Sequence, residues 1–289
     1  MAAPDAPLSA PAGSNRLPLI FILLTVMIDS MGIGLIIPVM PNLIEEVSGG
    51  GGPDPFGYVY HDSNEAGGAQ YAWIDATDGT SLGLLDDGEA NVVLPFAFTF
   101  YGTSSTDIRV GNNGGLFFGV TTGDLSTANA NLGTTTANNL IVPFWDDIDS
   151  DTGDVYYKTV GTAPHRMFVV EWNNRPHYSN IDSGTFEVIL YEGTNNIKYQ
   201  YMDTDFGNAT YDYGVSATSG IRQTGSNYLQ YSYNQAVLVD GLAICFQYPG
   251  SPPCDGGDVL FDGRVLWVGL SGRTNGEGLA QLSEIAKRH

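Results

Sequence analysis

Basic residues are scarce in this chain: 11 Lys and Arg stand against 32 Asp and Glu, giving a formal net charge of −21. No stretch gathers those few cations into the positive patch that a phosphate backbone requires, so nucleic acid is excluded as a partner. Cysteine is almost absent as well. The two present, Cys245 and Cys254, together with four scattered histidines, lack the ligand spacing of a zinc site. From residue 56 to about 249 there is no amphipathic helical period to compete with a strand reading.

Glycine is abundant, with 37 residues, and so are aromatics, with 16 Tyr and 13 Phe. Aromatic and β-branched residues suit strands, while Gly, Asn and Asp suit the turns between them. This composition is that of a secreted bacterial β-protein. At 289 residues the chain has room for one large domain or two ordinary ones.

The character of the chain changes along its length. Residues 1–16 are rich in Ala, Pro and Ser and read as disordered. From 17 to 47 runs a hydrophobic helix, "LPLIFILLTVMIDSMGIGLIIPVM" and its continuation, long enough to cross a hydrocarbon layer. Arg16 on one flank and Glu45 and Glu46 on the other place the N-terminus inside and the rest of the chain outside. Asp29, in the middle of this membrane segment, is costly in lipid and belongs against protein or a polar pathway. Four roles fit the segment: an anchor through residues 17–44, an uncleaved export signal, a helix packed on a partner, or a buried core helix. "SGGGGPDP", residues 48–55, reads as a linker.

Residues 56–249 carry strand-length runs separated by turn residues: "NVVLPFAFTFYG", with Phe96, Phe98 and Phe100 on one face, then "RMFVVEW", "TFEVILYEG", "NIKYQYMD", "NYLQYSYN" and "GLAICFQY". Many such runs at close spacing predict an all-β fold, an antiparallel β-sandwich of two sheets. Between Pro53 and Gly250 six Lys or Arg face 23 Asp or Glu, a net charge of −17 that keeps the domain soluble and repels anionic surfaces. Uncovered sheet edges would give it a route to homo-oligomers and filaments.

Two local features carry chemical expectations. In "FWDDIDSDTGDVYYK", Asp147, Asp149 and Asp151 alternate like the start of a calcium loop, but Thr152 and Lys158 stand where an EF-hand needs Gly and Glu. The stretch is therefore either a non-EF calcium site or a solvated acidic turn, and calcium is the one cofactor the sequence suggests. Cys245 and Cys254, with eight residues between them, are either a local disulfide or two unrelated thiols. His61, His165 and His177 are dispersed and read as surface residues rather than a catalytic triad.

Three resemblances follow from these motifs. "LLTVMIDSMGIGLIIPVMPNLIEEVSGG" resembles the first transmembrane helix of tetracycline-type drug exporters of the major facilitator superfamily, where the acid matching Asp29 contributes to the transport pathway; without further spans no transporter can be built. The succession "LPFAFTFYG", "IRVGNNGGLFFG", "IVPFWDDID", "VYYKTVGTAPHRMFVVEWNN" and "TFEVILYEGTNNIKYQY" resembles a β-sandwich module of secreted bacterial proteins and, distantly, nidogen-like extracellular domains. That likeness implies a fold and a location but no catalysis. The tail, "DGGDVLFDGRVLWVGLSGRTN" within residues 254–288, resembles a fragment of the dimethylarginine dimethylaminohydrolases. In that family the acid matching Asp255 orients the catalytic histidine and the arginine matching Arg273 contacts the substrate carboxylate. The stretches that would carry the histidine and the nucleophilic cysteine are missing, so both residues are remnants without a site. The tail itself reads as a hairpin around Asp262 and Gly263 followed by a short helix.

The chain thus reads as a composite whose function resides in residues 56–249: a non-enzymatic extracellular or cell-surface module for binding or assembly. A truncated guanidino-group hydrolase and an exporter-derived membrane component are the alternatives.

Overall fold

The computed structural model describes residues 50–254, apart from 66 and 179–181, and the backbone of two short strands beyond them. Asp29, Asp255 and Arg273, with the exporter-like segment, lie outside the described residues. Among the described residues no helix is long and apolar enough to cross a membrane.

The strands, in chain order, are β1 (Val59–Asp62), β2 (Thr80–Ser81), β3 (Glu89–Phe100), β4 (Thr103–Gly111), β5 (Gly115–Phe118), β6 (Leu140–Trp145), β7 (Asp154–Val160), β8 (Met167–Pro176), β9 (Ser183–Tyr191), β10 (Ile197–Asp203), β11 (Thr218–Thr224), β12 (Asn227–Tyr233), β13 (Ala243–Gln247), β14 (Val259–Phe261) and β15 (Leu266–Val268). They form a seven-stranded sheet in the order β1-β13-β10-β9-β8-β7-β2 and a six-stranded sheet in the order β12-β11-β6-β5-β4-β3. Every pairing is antiparallel, as the strand reading requires. β14 and β15 pair antiparallel in a two-stranded sheet of their own, so the expected tail hairpin forms and does not join either large sheet.

Alternation decides which side chains meet. Along β3, Val92, Leu94, Phe96, Phe98 and Phe100 are buried while the residues between them face outward. From the facing sheet come Phe168, Val170 and Trp172 of β8, Phe186, Val188 and Leu190 of β9, and Tyr199 and Tyr201 of β10, all in the same core cluster. The buried tyrosines need partners for their hydroxyls. Tyr199 donates to the Gly220 carbonyl at 2.8 Å and Tyr201 to the Pro143 carbonyl at 2.7 Å, each tying one sheet to the other.

β6 is buried along its whole length, and its pairing with β11 shifts register between Thr218 and Gly220. That extra residue breaks the alternation. Phe144 joins the inter-sheet core while Trp145 packs outside it.

Residues 50–55, expected as linker, are packed into the domain. Gly51 bridges Tyr60 of β1, and the buried Asp54 accepts from the amides of Phe56, Gly57 and Tyr58 through one oxygen and from the Tyr101 hydroxyl, at 2.6 Å, through the other. A carboxylate that satisfies a turn and a buried phenol makes this entry rigid.

The outer faces are not left to solvent. Residues 69–79 lie across the seven-stranded sheet, where Ala76 packs on Val169 and Ile189, and Ala69 on Ala243 and Cys245. Residues 120–139 lie across the six-stranded sheet, where Leu125 and Leu132 pack with Phe117, Leu140, Val142 and Trp145. Each sheet is therefore covered over part of its outer face, while the outward side of β3 stays exposed.

Candidate functional site

The first cover, 69–79, is held by side chains that project from the middle of the seven-stranded sheet. Glu171 of β8 and Glu187 of β9 are directly opposite each other in register, and Gln200 of β10 is opposite Glu187 on its other side. Adjacent positions in register put the three side chains in a row on the outer face. Gln200 accepts from the Ala72 amide at 2.6 Å and donates to its carbonyl at 2.8 Å; Glu187 accepts from the Ile74 amide at 3.3 Å; Glu171 accepts from the Ala76 amide at 2.6 Å. Gln200 also donates to Glu187, and Asn173 to Glu171 at 2.7 Å.

Both carboxyls are buried, Glu171 at 1% and Glu187 at 0% exposure. Burial pushes the Glu187 carboxyl up to about 8, with the charge of Glu171 adding to the rise and the Gln200 and Ile74 hydrogen bonds and Lys198 opposing it. Burial also raises Glu171, against the Ala76 and Asn173 hydrogen bonds. Oε2 of Glu187 is buried without a hydrogen-bond partner among the described residues.

In the loop after β6, Asp147, Asp149 and Asp151 do not converge, and among the described residues no group of three or more His, Cys, Asp or Glu is placed to hold a metal ion. Buried cations of the protein itself lie among these acids. Arg175, at the end of β8 and 1% exposed, donates to the carbonyls of Thr152 and Gly153 at 3.3 Å and of Leu84 at 2.6 Å. Burial lowers its pKa, and the charges of Asp154, Asp149 and Asp86 oppose that fall. Gly153 has φ 61° and no room for a Cβ, which would stand 1.9 Å from the Asn173 carbonyl oxygen. The loop can therefore fold back over β8 and bring its carbonyls to Arg175.

His177 is buried rather than on the surface. The bridge between Ile148 and His177 brings it beside the loop, where Nε2 lies 3.3 Å from Asp146 and Nδ1 lies 3.0 Å from the Tyr178 carbonyl. Its ring stacks on Tyr211 at 3.6 Å. Burial opposes the charged imidazole, but the Asp146 hydrogen bond and charge, the Tyr178 carbonyl and Asp147 outweigh it, so its pKa is raised. Asp146 also accepts from the Ser216 hydroxyl at 2.5 Å. The order is Ser–Asp–His, with the carboxylate in the middle, so no imidazole is placed to activate the hydroxyl.

Cys245 of β13 and Cys254 are joined in a disulfide, which fastens residues 250–254 to the outer side of the seven-stranded sheet beside Ala69 and Ala243. Beyond it lie the residues outside the description, Asp255 first.

One concavity, of about 600 Å³, opens where β9 begins and β10 ends, and Asp182, Asp203, Asp205, Asp240 and Met202 line it. Burial raises the pKa of Asp203, and the charges of Asp240, Asp205 and Asp182 raise it further against the hydrogen bond from the Asp205 amide. Met202 and Val239 are exposed beside these acids. Tyr71 of the first cover stacks on Trp73 at 6.4 Å, and its pKa is raised by burial and by the charges of Glu187 and Asp240. Sequence reading missed the concavity because its acids come from three separated turns, none with a motif.

A family model described as NIDO related matches residues 61–244, more than half of the chain and nearly all of the sandwich. This bears out the nidogen-like resemblance of the strand succession. It gives no support to the exporter-like and hydrolase-like stretches, which fall outside the match. No curated protein and no solved structure matches the chain.

Proposed function

The chain belongs to the NIDO-related family, and from that premise we propose that it is an extracellular or cell-surface module that binds a partner rather than transforming a substrate. The observation that carries this reading is the acidic concavity with its apolar rim, set at a sandwich end where Asp182, Asp203, Asp205 and Asp240 come together beside Met202. Four carboxylates sharing one recess repel one another, so a cationic group entering it relieves that repulsion as well as adding its own attraction. The partner is accordingly a protein segment that presents a Lys or Arg side chain with an apolar neighbour. An oxidising location fits the Cys245–Cys254 disulfide. A binding role fits the histidine–acid pair, whose groups are consumed in holding loops together.

Titration calorimetry with a lysine-rich and a glutamate-rich peptide tests the reading. The lysine peptide binds, more weakly at high salt, and the double variant Asp203→Asn with Asp240→Asn loses at least tenfold in affinity. Equal binding of the two peptides, or full binding by the double variant, would overturn it.

A second reading, self-association into filaments through strand edges, is favoured by the outer edge strand β3, which runs uncharged from Ala90 to Phe100 and exposes Val93. Against it stand Pro95 in the middle of that strand and the register shift between Val93 and Phe98, both of which blunt an edge. The opposite sheet ends in the two-residue β2 and in β1, whose outer side bridges Gly51.

A further inference from the structure

We propose that the Gln200–Glu187–Glu171 row is a pH-sensitive latch, holding residues 69–79 on the sheet while its carboxyls are neutral and letting them go as the carboxyls ionise. The geometry makes the row a common attachment, and release on ionisation comes from the cost of charging buried, opposed carboxyls, against the amide donors that favour the charged forms. Three consecutive side chains across three strands grip three alternate amides of one irregular segment, at Ala72, Ile74 and Ala76. Little else is shown to fix the centre of that segment apart from the packing of Ala76 and Ile74 on the sheet.

Two carboxyls directly opposite each other, both without access to water, cannot both be charged cheaply, and the charge of Glu171 raises Glu187 further. The groups that face them are Asp75 and Tyr71 on the cover, Lys158 on β7 and Lys198 on β10; Lys158 and Lys198 favour the charged forms and Asp75 disfavours that of Glu171. The sum still leaves Glu187 raised to about 8.

When the cover lifts, Glu187 meets water and regains an ordinary carboxyl pKa. A group whose closed-state value lies above its open-state value favours closure fully below the open-state value, and that preference is lost as pH rises to the closed-state one. The window therefore runs from about 4.5 to about 8. Within it the ratio of closed to open falls by about tenfold per pH unit. Lifting uncovers Val169 and Ile189 and moves the stacked pair Tyr71 and Trp73. The latch stands independently of whether the concavity binds a cationic partner.

Amide hydrogen exchange on the full chain, corrected for intrinsic rates and read between pH 5 and 9, tests this. Protection at Ala72, Ile74 and Ala76 falls by about tenfold per unit up to about pH 8 and then levels, while Leu132 of the opposite cover shows no such slope. Glu187→Gln, which keeps the acceptor oxygen and removes the charge, flattens the profile. A flat profile in the unchanged protein, or the same slope in Glu187→Gln, would overturn the proposal. Should that variant not fold, a carbon-13 carboxyl titration of Glu187 in the unchanged protein decides instead: a midpoint near 8 supports the latch and one near 4.5 refutes it.

Discussion

The cover on the seven-stranded sheet hangs from a central row of carboxyls and an amide; the cover on the six-stranded sheet hangs mostly from groups that do not titrate. There the Trp145 indole donates to the Ser126 carbonyl at 2.7 Å, the Thr218 hydroxyl to Ala130 at 3.0 Å, and the Arg222 guanidinium to Ala137 at 2.9 Å and to Leu132, while Gln230 accepts from the Leu132 amide at 2.8 Å. One acid also grips this second cover, Glu89 at the Leu125 amide; burial and Asp124 raise its pKa, and the Leu125 amide and Arg109 at 3.3 Å oppose the rise. Both solutions satisfy the buried backbone of an irregular segment, which must find partners somewhere. They differ in what a change of pH does to them. A guanidinium stays charged and an indole stays neutral across the range where buried carboxyls change state.

The contrast can be broken from the second side first. Replacing Arg222 by Met leaves the carbonyls of Ala137, Leu132 and Gly225 without their donor. We expect a loss of about 3 kcal/mol, read by urea unfolding, and the same loss at pH 5 as at pH 8. A loss confined to one end of that range would mean that the second cover also depends on a titrating group.

Asp146→Asn removes a second pH-dependent contact, the pairing with His177. His177 has a raised folded pKa, so its pairing with Asp146 stabilises fully below the ordinary imidazole value and is lost as pH rises through the folded one. The substitution should cost about 2 kcal/mol at pH 6 and much less at pH 9. Its chief use is that the slope remaining between pH 5 and 8 no longer contains the His177 contribution. A cost unchanged between pH 6 and 9 would place the role of Asp146 in its Ser216 hydrogen bond alone.

The strands and their inward faces were legible in the sequence because burial by the opposite sheet follows a period of two. "AFTF", "FVVEW" and "TFEVIL" each place their aromatic and branched residues where the core needs them. The outer faces were not legible. Glu171, Glu187, Lys198 and Gln200 occupy the alternate positions that normally face water, and nothing local tells that residues 69–79 will cover them. Covers are irregular, so they carry no period, and the first is held across about a hundred residues or more, as from Ala72 to Gln200. Separation in sequence, here only about 20 to 30 residues, also hid the basic groups that reach the acidic loop. Alternating Asp147, Asp149 and Asp151 suggested an external calcium ion, whereas Arg175 and His177 reach the loop from the end of β8. Only the Pro95 interruption of β3 could have been read in advance as a device against edge pairing.

Urea unfolding of the unchanged protein and of Glu187→Gln at pH 5 and pH 8 tests the proton linkage of the first cover most directly. The unchanged protein should lose about 3–4 kcal/mol more than the variant over that interval, the linkage of a carboxyl moved from about 4.5 to about 8. Equal losses in the two proteins would contradict it, because the buried carboxyl row would then carry no more proton linkage than a neutral amide.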